Sequence, residues 1–192
     1  SGCSKIPSLT IPDTVTAIGN SAFSQCSAMA ELKLSPATKS YGNGVFSYCS
    51  KLTSVVLPDG LTAVVDSMFM QCANLASVTI PDSVTAIGPR AFGYCKNLPA
   101  VTIPEGVTVI DDYAFNSCAK LTSLRIPDKV TRIGKNAFYG ATALTALSLG
   151  SSVETIDNFA FYNCKNLPVV VLPDSVKTLG TSAFNRCEKM QA

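Results

Sequence analysis

Phenylalanine returns every 23 residues along this chain, at Phe23, Phe46, Phe69, Phe92, Phe115, Phe138, Phe161 and Phe184. Cysteine keeps the same interval three places later, at Cys26, Cys49, Cys72, Cys95, Cys118, Cys164 and Cys187; Cys3 precedes the series and Ala141 stands in once. A fixed period of this size means repeated units stacked in register, each burying its apolar side against the next. Such an array is quasi-one-dimensional, so the 192 residues are read as one domain rather than two. Eight units tile it: 6–28, 29–51, 52–74, 75–97, 98–120, 121–143, 144–166 and 167–189.

The fifth unit shows what each column is for. Leu98, Val101 and Ile103 end in apolar alternation, the mark of a short strand. Pro104 closes it, because proline has no amide to donate and holds the preceding residue extended. Glu105-Gly106 then supplies turn chemistry. Val107-Thr108-Val109-Ile110 reads either as a second short strand or as an irregular extended segment. Ala114, Phe115 and Cys118, at i, i+1 and i+4, predict about two turns of helix, with a polar residue or proline before them (Asn20, Asp66, Pro89, Asp112, Asn158) as its cap or first turn. The column ahead of that is Gly19, Gly42, Gly88, Gly134 and Gly180, with Asp111 and Asp157 as alternatives, and reads as a corner of unusual backbone angles. The Phe column and Cys26, Cys49, Cys72, Cys95, Cys118 and Cys164 are assigned to the structural core.

The pattern Leu-x-x-Val-x-Ile-Pro-x-x-Val-x-x-Ile-Gly-x-x-Ala-Phe-x-x-Cys resembles the BspA-like leucine-rich repeats, and it covers essentially the whole chain. The resemblance implies an α/β, right-handed solenoid with a parallel sheet on one face and short helices opposite. It also implies a secreted or cell-surface protein of a microbe that engages host or neighbouring-cell proteins. Ser83, Gly106 and Lys129 stand where the general leucine-rich motif has Asn or Cys, so an asparagine ladder is missing. The second unit shifts its proline (Leu34-Ser35-Pro36), and the seventh has Gly150 for proline and Ala141 for cysteine.

Composition narrows function mainly by exclusion. A net charge of +2, with Lys and Arg dispersed, does not predict nucleic-acid or anionic-membrane binding. No apolar run reaches the roughly 18 residues of a membrane span. The opening SGCSKIPSLT is not a signal peptide, and both ends fall within a unit, so the chain reads as a segment of a longer protein. With 0 histidines there is no Ser-His or Cys-His pair, and no phosphate-loop or nucleophile-elbow motif occurs. Asp111-Asp112 is the only adjacent acid pair, and neighbours in sequence do not converge on one substrate. The chain is therefore read as non-catalytic, with no cofactor, metal or small-molecule substrate.

The remaining chemistry-bearing columns each have a plain reading beside a sharper one. The cysteine column reads as small buried free thiols, against disulfides between coils or zinc; Ala141 and the lack of any CxxC pair favour the first. Asp13, Asp59, Asp82, Glu105, Asp128 and Asp174 follow the strand proline and read as turn caps rather than a calcium ladder. The outward strand positions are small and neutral, a flat face without catalytic groups. Tyr94, Tyr113, Tyr139, Phe159 and Tyr162 gather on the side expected to be helical and are the candidate partner-binding residues, tyrosine being favoured at recognition surfaces. Packing between coils is the other reading. The expected function is a protein-binding or adhesion module; a structural spacer and, less favoured, a glycan-binding module are the alternatives.

Overall fold

The computed structural model describes residues 2–190. The chain winds into a parallel β-solenoid of about seven turns with a period of 23 residues. Each coil begins with an extended segment whose middle residue faces inward. In Ser54–Val56, for example, Val55 is buried while Ser54 and Val56 are exposed, and the strand pairs in parallel with Ser77–Thr79 one coil on. After the proline turn comes a two-residue strand, so of the two readings that the sequence allows for this stretch, the strand is the one observed. Val109–Ile110 pairs with Ala86–Ile87 on one side and Arg132–Ile133 on the other. Six such strands, from Ala63–Val64 to Thr178–Leu179, form one uninterrupted sheet.

The expected helices are absent from the described residues, and the α/β class is corrected to an all-β solenoid. Backbone hydrogen bonding gives the reason. In a helix every amide reaches back four residues. Here Tyr113, Phe115 and Ser117 donate across to the next coil, to the carbonyls of Lys135, Ala137 and Tyr139 at 2.7–2.8 Å. The amides between them, Ala114 and Asn116, reach back three residues to Asp111 and Tyr113. This alternation needs left-handed residues at both ends of the segment, and Tyr113 and Ser117 have φ of 61° and 59°. The same two columns are left-handed in the other coils, as at Ser67 and Gln71 or Asn136 and Gly140. Ala114, Phe115 and Cys118 are buried all the same. Spacing alone does not distinguish a short helix from this turn, which trades helical bonds for bonds along the solenoid.

The corner glycines are also corrected. Gly19, Gly42, Gly88, Gly134 and Gly180 have no left-handed φ. All but Gly19, which has no neighbour there, allow close approach instead: a Cβ on Gly134 would lie 2.6 Å from the Asp112 amide nitrogen, and one on Gly42 or Gly180 would collide with Asn20 or Asn158 of the coil before. Those Asn and Asp side chains do not cap helices. They accept the amide of the equivalent residue one coil later: Asn43 to Asn20 at 2.8 Å, Lys135 to Asp112 at 2.9 Å and Thr181 to Asn158 at 2.7 Å. A corner carboxylate or carboxamide in one coil thus goes with glycine in the next, except that Asn43 is followed by Val65. Where the preceding corner is Pro89 or Lys135, the next coil carries Asp111 or Asp157 in the glycine column.

The phenylalanine rings run down the interior as an offset stack, successive centroids 5.2–5.9 Å apart and planes within 16°. Phe46 to Phe161 are fully buried, and Phe23 and Phe184, first and last in the stack, are half-buried. The cysteines pack beside them with a hydrogen-bonding role of their own. Each thiol from Cys49 onward lies on the phenylalanine carbonyl 26 residues earlier, as in Cys72 to Phe46 and Cys95 to Phe69, both 3.3 Å. Phe115 is the ring whose carbonyl meets Ala141 instead.

The first sheet is interrupted where the second is continuous. Its strands pair as Ser8–Thr10 with Glu31–Lys33, Ser54–Val56 with Ser77–Thr79, and Ser123–Arg125 with Ala146–Ser148. The short strand expected in the fifth unit from Leu98, Val101 and Ile103 is not observed: residues 100–102, like 169–171, form no ladder. Each follows a proline, Pro99 and Pro168, in the column whose amide elsewhere donates to the preceding coil, as Ala76 does to Thr53 at 2.8 Å. Proline has no amide to give, so the ladder does not start there.

Candidate functional surfaces

The five candidate aromatics lie on the turn-rich side, within or beside the left-handed columns, and fall into two separate groups. Tyr139 and Tyr162, one coil apart, stack with centroids 5.0 Å apart and planes at 9°. Phe159 meets Tyr162 edge-on at 5.7 Å, and the Arg186 guanidinium lies 5.6 Å from the Tyr162 ring centre. Tyr94 and Tyr113 line a separate cavity of about 270 Å³ with Met70, Arg90, Gly93 and Asn116. There the Arg90 guanidinium sits over the Tyr113 ring at 5.6 Å, and Tyr94 is 40% exposed. The arginines that complete both groups, Arg90 and Arg186, are candidate contact residues that the sequence reading did not name. The sequence carried no signal for them, since the left-handed columns in which both stand are a property of the folded backbone.

The backbone makes these aromatics informative. A bulky residue at positive φ is strained, and the columns in question accept glycine at Gly44 and Gly140. Tyr48, Tyr94, Tyr113 and Phe159 nonetheless occupy them, with φ between 59° and 62°. The fold does not ask for an aromatic there, so its value lies in what the ring contacts.

The acid pair behaves differently from the reading by adjacency. Asp111 and Asp112 converge, together with Asp157, on the guanidinium of Arg132, at 3.2, 2.6 and 2.7 Å. Arg132 takes the outward position of its strand, between the corners of two neighbouring coils. Its single positive charge offsets one of the three carboxylate charges and ties together three acids from two coils, so the group is a structural ion cluster.

Of the acidic column after the strand proline, Asp13 accepts the Ser35 hydroxyl at 2.7 Å and Asp128 accepts the Ser151 amide at 2.9 Å, both one coil on rather than within their own turn. That amide holds Asp128 below the ordinary carboxylate range. Glu105 pairs with Arg125. Among the described residues no group of three acids or thiols is placed to hold a metal ion. The thiols are buried except Cys3, and burial pushes Cys72 and Cys95 well above the ordinary thiol range and Cys118 up to about 12. So shifted, Cys72, Cys95 and Cys118 are poor nucleophiles.

On the first sheet, the unpaired segment 100–102 leaves a groove of about 520 Å³ lined by Ser77, Ala100, Thr102 and Ser123, with the Glu105–Arg125 pair at its edge. Its walls are small side chains and backbone, as the outward columns predicted. No helix among the described residues is long and apolar enough to cross a membrane.

The profile of the BspA type leucine rich repeat region matches residues 1–98 and 62–191, in six copies. No curated protein matches the chain. Among solved structures, the leucine rich repeat protein TpLRR of T. pallidum shares 26% identity over 96% of this chain and 78% of its own, with a TM-score of 0.77. A leucine-rich repeat protein from Bacteroides ovatus ATCC 8483 shares 24% over 95% of this chain and 59% of its own, with a TM-score of 0.65. The pneumococcal vaccine antigen PcpA shares 21% over 96% and 61%, with a TM-score of 0.50. The last two likenesses concern the fold alone. With its repeat profile spanning nearly every residue, the chain belongs to the BspA-type leucine-rich-repeat family.

Proposed function

We propose that this solenoid is a non-catalytic protein-binding module of a secreted or cell-surface microbial protein, and that its contact surface is the aromatic part of the turn-rich side. The observation that carries this reading is the group of Tyr139, Tyr162 and Phe159 with Arg186. Tyrosine and arginine supply large, rigid area with hydrogen-bonding ends, the residue types that dominate binding energy at interfaces. Phe159 holds a left-handed backbone conformation that glycine fills elsewhere at less cost, which supports a role for its ring. The family supports the cell-surface setting, and the lack of any histidine supports a non-catalytic role.

The test is capture from host extracellular-matrix and cell-surface extracts by the 192-residue chain. A specifically enriched protein is expected, and the Tyr139→Ala/Tyr162→Ala variant should lose it. Enrichment that survives the double substitution removes the aromatic surface from the reading. No enrichment at all favours a spacer that only holds other domains apart.

A further inference from the structure

The cavity between Tyr94 and Tyr113 exists because one side chain is missing from a stack. Its column, the residue after each buried phenylalanine, reads Ser24, Ser47, Met70, Gly93, Asn116, Tyr139, Tyr162 and Asn185. Gly93 is the sole glycine, and the backbone does not require it. Its φ is not left-handed, and an added Cβ would meet only the carbonyls of Arg90 and Tyr113, at 3.4 and 3.5 Å, close to ordinary contact. What glycine provides here is empty space, bounded above and below in the stack by Met70 and Asn116 and flanked by the two tyrosines.

The lining is selective. The rings of Tyr94 and Tyr113 and the thioether of Met70 offer apolar walls. Asn116 is 5% exposed, and its oxygen accepts the Ser117 hydroxyl at 3.0 Å, leaving its amide hydrogens for other partners. Arg90 is the one charged residue of the lining, and the nearest acid, Asp66, holds it only at 4.0 Å. Arg90 thus brings the only formal charge to the lining, and no carboxylate lines the space, so the charge favours an anionic group. At about 270 Å³ the cavity is just below the roughly 300–1,000 Å³ that drug-sized ligands occupy, room for a single ring.

We infer that this cavity binds one carboxylate-bearing sugar ring of a glycan. The ring's flat C–H face lies on tyrosine, its carboxylate pairs with the Arg90 guanidinium, and its hydroxyls meet the Asn116 amide. This does not depend on the protein-binding reading, which uses Tyr139, Phe159 and Tyr162 of other coils.

Saturation-transfer NMR on the whole chain, with D-glucuronic acid and D-glucose as probes, tests it. Transfer to the glucuronate ring protons is expected, with glucose weaker by about tenfold. Gly93→Met, which places in this coil the side chain Met70 has in the one before, should abolish transfer with the thermal midpoint little changed. Arg90→Asn, the residue at Asn136 in the same column, should bring glucuronate down to the level of glucose. Tyr94→Asn, which copies the residue its own column carries at Asn163, should weaken both sugars and serves if Gly93→Met does not fold. The inference is overturned by no transfer from glucuronate at tens of millimolar, or by binding unchanged in a folded Gly93→Met or Tyr94→Asn variant. Stronger binding of N-acetyl-L-phenylalanine than of glucuronate also overturns it, since the cavity would then be reading a peptide terminus.

Discussion

At the residue scale, the phenylalanine and cysteine columns act together. Each ring is held between two others, so removing one opens a cavity that cannot close without breaking the register of its neighbours. Phe115→Ala is expected to cost about 3–5 kcal/mol in denaturant unfolding, in line with buried aromatic deletions; a wild-type midpoint would place the ring outside the core. The thiols make stability sensitive to alkali. Cys118 titrates at about 12 when folded against an ordinary 9.0, because burial disfavours the thiolate. Its folded pKa is the higher one, so its contribution is intact below pH 9.0 and is lost as pH rises from there towards about 12. Unfolding midpoints measured across that window should fall, and the fall should be smaller in Cys118→Ala. The cysteines could be recognised from sequence as small core residues. That each thiol donates to a phenylalanine carbonyl 26 residues back could not, because the bond crosses coils.

At the element scale, the corner depends on a pair of residues in different coils. Gly134→Ala forces a Cβ to 2.6 Å from the Asp112 amide nitrogen, whereas at Gly19 an added Cβ meets nothing within 4 Å. Gly134→Ala should therefore destabilise by about 1–3 kcal/mol, as overpacking does. Gly19→Ala should be neutral or slightly stabilising, through the stiffer unfolded chain. Equal effects on the melting temperature would refute the close-approach account. The two sheets should also differ in amide exchange. Residues 100–102 pair with neither neighbouring coil, while Val109–Ile110 and Arg132–Ile133 sit inside the continuous ladder. Hydrogen exchange resolved by residue should show fast amides at 100–102 and slow ones at Ile110 and Ile133. The first strands were legible from alternation and proline except in the fifth and eighth units, where the same alternation forms no ladder. The helix was not, because apolar residues at i, i+1 and i+4 satisfy both a short helix and a left-handed turn, and only the destination of the amides separates them.

At the scale of the whole molecule, contacts run between equivalent positions one repeat apart, so the chain behaves as a stack of interchangeable layers. Excising 98–120 joins Asn97 to Leu121 with every column still in register. The shortened chain should fold, and its denaturant m-value should drop by about one-eighth, in proportion to the surface removed. Removing a number of residues that is not a whole number of repeats should prevent folding of the layers beyond the cut. Failure of the in-register deletion to give a cooperative transition would mean that one coil has a special role.

By itself the sequence determined that this is a solenoid, how long its repeat is, which columns face inward and, outside the fifth and eighth units, where the short first strands lie. Those properties follow from side-chain type recurring at a fixed interval, which is local and countable. Tertiary structure decided the rest: that the turn-rich side is not helical, that Arg132 gathers Asp111, Asp112 and Asp157, and that Tyr94 and Tyr113 frame a cavity while Tyr139, Phe159 and Tyr162 form a separate surface. Each of these joins residues of different coils, through the direction of a backbone bond, an ion pair, a ring stack or the absence of a side chain. Such facts acquire meaning only when one layer lies on the next.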